Sequence, residues 1–482
     1  MALRRTKIVA TLGPATDDPN IIRALIGAGM DVARINYSHQ SHDEHARRIQ
    51  LVRDQAKALG TEVGIIADLQ GPKIRIEKFR DGPIYLEEGD QFVIDAALAA
   101  GDGDEQRVGV TYKNLPKDVK FGDKLLIDDG RINLKVDRVK GTAVECTVLL
   151  GGQLSDHKGI NREGGGLSAA TLTVKDKEDL RHAVYHGVDY IAISFVQSAA
   201  DVTEARESIK LSNGTCGIIA KIERAEALER IEEIIDAADG IMVARGDLGV
   251  EIGDAYLVPV QKRLVRMARQ MKRFVIVATQ MMESMIDKPL PTRAEVFDVA
   301  NAVLDGTDAV MLSAETSIGK HPTQSVQAMA RVCLGSERQW EDQDAQVRLD
   351  VHFDRIDDAI AMSAMYAANR IDAKAIAALT ETGNTCVTMS RMHSAIPIFA
   401  FTRHVPSQRR VTIYRGVYPI NFDVMHTESA DVNRELVNIL LYRKVATEGD
   451  LIIITKGDSR GTTGGTNAMK IVRAGDYIER LF

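Results

Sequence analysis

Cysteine is scarce and scattered: Cys146, Cys216, Cys333 and Cys386 lie far apart and form no CxxC pair. That excludes a zinc ribbon and a disulfide framework, and it fits a reducing, cytoplasmic setting. An apolar run approaching 18 residues is also missing, so no membrane partner is expected. Arg4, Arg5 and Lys7 do precede a short apolar stretch, but Gly13-Pro14 ends it too early for an export signal. Positive charge is not in excess either: the formal net charge is −7, which argues against nucleic acid as a bulk partner. The phosphate-loop signature of nucleotide enzymes is absent, because Gly319-Lys320 is followed by His321 and lacks the upstream glycine.

What is present is a rhythm. Short β-branched apolar runs bounded by Gly, Asp or Asn alternate with helical patterns, the signature of βα units and a parallel sheet. The runs are Lys7–Leu12, Val32–Asn36, Gly64–Leu69, Tyr190–Phe195, Gly217–Ile222, Gly240–Ala244, Phe274–Thr279 and Ala309–Ala314. Eight such units predict an α/β chain built on a (β/α)₈ TIM barrel over 1–70 and 168–340, since a barrel of this kind needs about 250 residues. Between its parts, 71–167 has alternating runs (Phe92–Asp95, Lys124–Ile127, Asn133–Val136, Val144–Val148) and Gly-Asp turns. This reads as an inserted small β-barrel on a βα loop, placed to act as a lid. A polar linker, Glu341–Asp350, leads into a C-terminal α/β domain within 341–482, with strands expected at Ala373–Thr380, Ile396–Thr402, Val417–Phe422 and Asp450–Lys456.

Strand ends carry the chemistry. Alternation along the fifth run puts Lys221 and Glu223 on one face, a cation and an anion together at the barrel mouth. The next run ends in Arg245-Gly246-Asp247, whose glycine lets backbone approach a ligand closely. Glu223 and Asp247, from adjacent strands, suit two oxygen ligands on one Mg²⁺, or on Mn²⁺ in its place. Thr279, Ser313 and Glu315 add hydroxyls and a carboxylate to the same face. Arg34 offers the fork that a phosphate dianion needs. Asn36, Ser38 and Asp68 form an oxygen cluster for a cation. His39, His42 and His45 recur at three-residue spacing, but Ser41 with Glu44 reads as a capping box at a helix start, which disfavours zinc. Met281, Met282 and Met285 read as packing. In the C-terminal part, Thr380, Thr382, Gly383, Asn384 and Thr385 sit between a strand and a helix and suggest a phosphate cradle. The loop Gly457–Asn467, with Gly461, Thr462, Thr463, Gly464, Gly465 and Thr466, is expected to close over the same ligand.

Seven motifs occur in a diagnostic order: Lys7–Pro14, Arg34–His39, Asp68–Arg75, Ile219–Glu223, Met242–Glu251, Ala278–Met285 and Met311–Thr316. On these the chain resembles pyruvate kinase along essentially its whole length. The resemblance implies transfer of a phosphoryl group from phosphoenolpyruvate to ADP, and assembly as a homotetramer regulated by a phosphorylated metabolite at the C-terminal domain. By position it makes Glu223 and Asp247 the Mg²⁺ ligands, and Lys221 and Arg34 the phosphoryl-side cations. Gly246 and Asp247 would supply amides for the substrate carboxylate, and Thr279 part of the proton relay. Asn36, His39, Arg75 and Lys175 fall on the nucleotide side, with Arg75, Ser313 and Glu315 in the catalytic set. Two departures stand out. Leu69 follows Asp68, and Lys73 stands where many members carry Glu, so Lys73 is expected to replace a monovalent cation and to make K⁺ unnecessary. Gln40 replaces the more usual Gly after His39.

Overall fold

The computed structural model describes residues 3–339, 353–392, 394–428, 431–458 and 464–476. Linker residues Glu341–Asp350 and the loop residues Gly461, Thr462 and Thr463 lie outside the described residues. Eight parallel strands close on themselves: β1 (Lys7–Leu12), β2 (Val32–Asn36), β3 (Gly64–Asp68), β4 (Tyr190–Ile193), β5 (Gly217–Ile222), β6 (Gly240–Ala244), β7 (Phe274–Ala278) and β8 (Ala309–Leu312). Each pairs with its neighbour in chain order, and β8 returns to β1. Every residue of β5 and β6 is buried, because helices cover the outside while side chains fill the inside. Val9, Val32, Ile66, Ile219, Met242, Ile276 and Met311 pack within the barrel. The opposite faces, including Ile8, Ala33, Ile191, Ile218, Ile241 and Val310, pack with the helices. A full barrel interior leaves polar strand-end residues nowhere to go but the mouth, which is where the site forms.

The segment between β3 and β4 makes a six-stranded sheet, in spatial order Ile160–Arg162, Lys124–Ile127, Ile132–Lys140, Ala143–Leu150, Gln91–Asp95 and Arg107–Gly109. Its two edges are joined through one extended stretch: Arg75 bridges Gly159 on one side and Ile76 bridges Val110 on the other. The sheet therefore closes around its own core of Phe92, Ile94, Leu125, Leu134, Val136 and Cys146. Beyond the barrel, Val417–Asn421, Ile398–Thr402, Ala375–Leu379 and Leu451–Gly457 form a parallel sheet. An antiparallel edge strand, Thr466–Arg473, completes it. Among the described residues no helix is long and apolar enough to cross a membrane, and all four cysteines are buried and unpaired.

The helix His42–Ala58 starts at the expected capping box, Ser41 with Glu44. Of the three closely spaced histidines, His45 is buried against the Tyr37 ring, with centroids 4.3 Å apart. Neither of its ring nitrogens has a hydrogen-bond partner among the described residues. Burial, reinforced by Arg48, pushes its pKa down to about 4. An unfolded chain takes up a proton there near pH 6.5, which the folded chain refuses, so stability falls as pH drops from about 6.5 towards 4. His45→Leu is expected to flatten that part of the curve of unfolding midpoint against pH.

Candidate active site

At the mouth, Lys221 at the end of β5 is the hub. Its Nζ lies 2.9 Å from Glu223 Oε1 and 3.2 Å from Asp68 Oδ1, and it donates to Ser194 Oγ at 2.7 Å. Burial alone would strip the ammonium of its proton, but Asp68 and Glu223 outweigh it and raise the lysine pKa. Asp68 is buried as well; the pull of Arg34 and Lys221 exceeds that penalty and keeps its carboxyl below the usual range. Arg34 Nε meets Asp68 Oδ2 at 2.6 Å, and its Nη1 donates to Thr11 Oγ1 at 3.0 Å. Two cations are thus fixed on the two oxygens of one buried carboxylate.

Glu223 also accepts from the amide of Phe195 at 2.8 Å, a residue in the left-handed region with φ of 57°. Its pKa is raised, first by burial, against the pull of Lys221, with Asp247 adding like-charge repulsion. Two neighbouring carboxylates whose mutual repulsion a cation would relieve fit a hard divalent ion that retains positions for substrate and water.

Strands β6 and β7 meet at the next part of the mouth. Thr279 and Gln280 are both left-handed, with φ of 68° and 54°. A β-branched residue there is strained, roughly 1–3 kcal/mol, and needs surrounding contacts to hold it. Arg245 supplies them. It donates to the carbonyl of Thr279 at 2.7 Å and is braced by Asp298 at 2.7 Å. The Thr279 hydroxyl donates to Ala278 O at 2.6 Å and accepts from the Gly246 amide at 2.9 Å. At the end of β8, Glu315 is turned inward, its oxygens taken by the amides of Met282 at 3.1 Å and Ser313 at 2.7 Å. It holds the loops after β7 and β8 together. Ser313 lies beside it, with a buried hydroxyl that has no partner among the described residues.

A second group of cations gathers after β2. Burial and the cations Arg75, Lys73, Arg34 and Lys175 together lower the pKa of His39, so these five side chains share one electropositive field. Arg75 donates to His157 O at 2.7 Å, across the inserted sheet. Lys175 donates to Tyr37 O at 2.8 Å and pairs with Asp179 at 2.5 Å. Asn36 uses its side-chain oxygen on the Ser38 amide at 3.2 Å. The reading of Lys73 as the occupant of the Asn36, Ser38 and Asp68 cluster needs correction: its ion pair is with Asp247, at 3.9 Å, while Asp68 is engaged by Arg34 and Lys221. Gln40 keeps a glycine-like backbone, φ 74°, with its side-chain oxygen held by Arg48.

The family model for the pyruvate kinase barrel domain matches residues 3–326, and that for the pyruvate kinase alpha/beta domain matches 358–472. The chain belongs to the pyruvate kinase family. Pyruvate kinase II of Salmonella typhimurium is 52% identical over 474 residues, covering 98% of both chains. Pyruvate kinase of Haemophilus influenzae is 50% identical over 465 residues, covering 95% of this chain and 97% of that one. Among solved structures, a pyruvate kinase from Cryptosporidium parvum superposes with a TM-score of 0.90 at 35% identity, over 98% of this chain and 96% of that one. As a pyruvate kinase family member, the chain is a phosphotransferase.

Far from the mouth of this pyruvate kinase barrel, the C-terminal sheet carries a cavity of about 200 Å³. Thr380, Thr382, Asn384 and Thr385 line it, as do Gly464, Gly465 and Thr466, so the two expected segments do meet. Their contact is direct, with Thr385 Oγ1 2.9 Å from Thr466 Oγ1. Gly383 lies behind the lining; with φ of 90°, a Cβ there would stand 2.7 Å from Val411 Cγ1. Two cations that sequence reading missed, Arg403 and Lys456, also line the cavity. They sit just after one strand and near the end of another, and only the parallel sheet order brings them to the threonines.

Proposed function

We propose that the chain transfers the phosphoryl group of phosphoenolpyruvate to ADP, yielding ATP and pyruvate, as a cytoplasmic glycolytic enzyme. In this reading 1–70 with 168–340 is the catalytic unit, 71–167 the lid and 341–482 the effector unit. The observation that carries it is the Lys221 ammonium, locked protonated between Asp68 and Glu223 and flanked by Arg34. Such a pair neutralises charge on a phosphoryl group in flight without having to reorganise. A β-phosphate oxygen of ADP forms the new bond to phosphorus as the bond to the enol oxygen breaks. The enolate then takes a proton at its terminal carbon, delivered through water that the Thr279 hydroxyl supports.

 Gly246 and Asp247 offer amides to the substrate carboxylate, and His39, Arg75, Lys175 and Asn36 face the nucleotide. When bound, Mg²⁺ or Mn²⁺ supplies a Lewis acid for the developing enolate, and Glu223 and Asp247 are the residues that would hold it. Lid closure excludes the water that would otherwise take the phosphoryl group.

Pyruvate should form from phosphoenolpyruvate only when ADP and Mg²⁺ are both present; pyruvate released with inorganic phosphate in the absence of ADP would make water the acceptor, and phosphoenolpyruvate consumed without ADP or phosphate release would point to carbon–carbon lyase chemistry, and either would sink the reading. Lys73 pairs with Asp247 and shares one electropositive field with Arg34, Arg75 and Lys175, so the mouth already carries dense fixed positive charge. The rate is therefore expected to stay level when Na⁺ is replaced by K⁺, and a many-fold rise with K⁺ would overturn that part.

The C-terminal cavity is read as the seat of a phosphorylated-metabolite activator, with Arg403 and Lys456 on its phosphate and Thr380, Thr382, Thr385 and Thr466 as hydroxyl donors. Arg403→Ala is expected to abolish activation by sugar monophosphates while leaving the unactivated rate intact; a normal activation curve would remove Arg403 from the site. Assembly as a homotetramer is supported by Tyr256, Val258 and Phe297, which are exposed on two helices joined by the bond from Lys262 to Asn301, 3.0 Å. Sedimentation velocity tests it.

A further inference from the structure

One buried carboxylate near the site has no part in the chemistry above. Glu251 lies on the helix Arg245–Ile252, one turn beyond Asp247, and is 4% exposed. Its Oε2 accepts from the Ala225 amide at 2.9 Å, two residues past Glu223. Oε1 accepts from Asn161 Nδ2 at 3.2 Å, in the last strand of the insert, Ile160–Arg162. The backbone carbonyl of Glu251 accepts from the Gly164 amide at 3.0 Å. One residue thus ties together the return strand of the insert, the loop after Glu223 and the helix of Asp247.

The chain beyond Asn161 is built to pivot. Gly164, Gly165 and Gly166 are consecutive left-handed residues, with φ of 79°, 79° and 94°. A Cβ on Gly165 would stand 2.2 Å from the Glu226 carboxylate, so the pivot is pressed against the same barrel loop. Leu167 O then accepts from Arg224 Nη1 at 2.6 Å. Keeping an acid in this place costs free energy, since burial pushes the Glu251 pKa up to about 7. An apolar side chain would satisfy the helix but could not grip the insert.

We propose that Glu251 is a positioning residue, a latch that sets the inclination of the lid and the placement of Glu223 and Asp247 together. The inference rests on reading those two carboxylates as the divalent-metal pair and 71–167 as a lid. Metal binding should then still the pivot, and loosening the latch should weaken metal binding.

The test uses the full chain, Mn²⁺ as the probe, and the variants Glu251→Ala, Asn161→Ala and their double. Free Mn²⁺ is counted by electron paramagnetic resonance, and amide exchange is followed over 160–167. Both single variants are expected to bind Mn²⁺ about tenfold more weakly, as loss of a supporting shell does elsewhere. Mn²⁺ should slow exchange over 160–167 in the parent but not in either variant, and the double should be no worse than Glu251→Ala. Asn161→Ala leaves the Ala225 contact intact, so it remains informative if Glu251→Ala folds poorly. Additive losses, or parental protection of 160–167 in Asn161→Ala, would overturn the latch. Mn²⁺ binding that survives Asp247→Asn would remove the metal reading and the latch with it, whereas its loss there beside unchanged pivot protection in the latch variants removes the latch alone.

Discussion

Lys221→Met is expected to lower kcat by about 10³ in a chain that still folds, the scale found when a preorganised charge-stabilising group is removed. The ammonium is held by three oxygens, on Glu223 at 2.9 Å, Asp68 at 3.2 Å and Ser194 at 2.7 Å. Methionine matches the side chain's length but brings no charge to the phosphoryl group, so the loss falls on the transition state more than on substrate affinity. Breaking a buried ion pair costs about 3–5 kcal/mol when the orphaned charge cannot adjust. Here it can. Glu223 already holds its proton more tightly than an ordinary glutamate, through burial and through Asp247, so in the variant it can take one up and limit the loss. Asp68 keeps Arg34 at 2.6 Å. The variant should therefore show a modestly lowered unfolding midpoint that recovers towards acid pH. A folded variant whose kcat stays within tenfold of the parent would remove Lys221 from the chemistry.

The barrel was legible because its strands are buried on both faces and read as apolar runs between turn residues. Where the expectation overran, the mouth itself explains the difference. The runs ending at Phe195, Thr279 and Ala314 overshoot the strands by one or two residues, because β4, β7 and β8 end at Ile193, Ala278 and Leu312. Phe195 and Thr279 have turned left-handed to deliver an amide and a hydroxyl to the site, a conformation that no hydrophobic pattern announces. In the insert, the three-residue strands Ile84–Leu86, Arg107–Gly109, Gly152–Leu154 and Ile160–Arg162 are too short to show alternation. The edge strand Thr466–Arg473 was hidden behind the glycine and threonine loop that precedes it.

The site divides in the same way. That Lys221, Glu223, Asp247 and Arg34 share the mouth was legible because each lies at a strand end, where position in sequence implies position in space. Glu315 also lies there, yet its carboxylate faces two backbone amides, a turn of the side chain that strand position does not dictate. Arg403, Lys456 and Glu251 gave no local signal. Each looks like an ordinary surface charge until the topology brings a second segment against it.

The second large effect concerns stability at the far end of the barrel. Arg391→Met is expected to lower the midpoint of the first unfolding transition by on the order of 10 °C, from a loss of about 3–5 kcal/mol. Asp308, immediately before β8, is fully buried and pairs with both terminal nitrogens of Arg391, Nη1 lying 2.6 Å from Oδ2. It also accepts from the amides of Val275 and Arg415, each at 3.0 Å. Arg391 follows the helix Asn384–Ser390 of the C-terminal unit, so this pair fastens that unit to the barrel. Removing the guanidinium leaves a fully buried carboxylate that keeps only backbone amides as direct partners, with the cations Arg269, Arg415 and Lys7 acting on it from farther off. Asp308→Asn added to Arg391→Met should restore part of the midpoint, because a neutral amide keeps an acceptor for the backbone N–H groups without the stranded charge. Differential scanning calorimetry of the single and double variants separates the two contributions. A single variant within a degree or two of the parent would mean that the amides carry Asp308, and that the other links between the two units, among them Arg409 to Glu62 and Lys272 to Asp358, suffice to hold them.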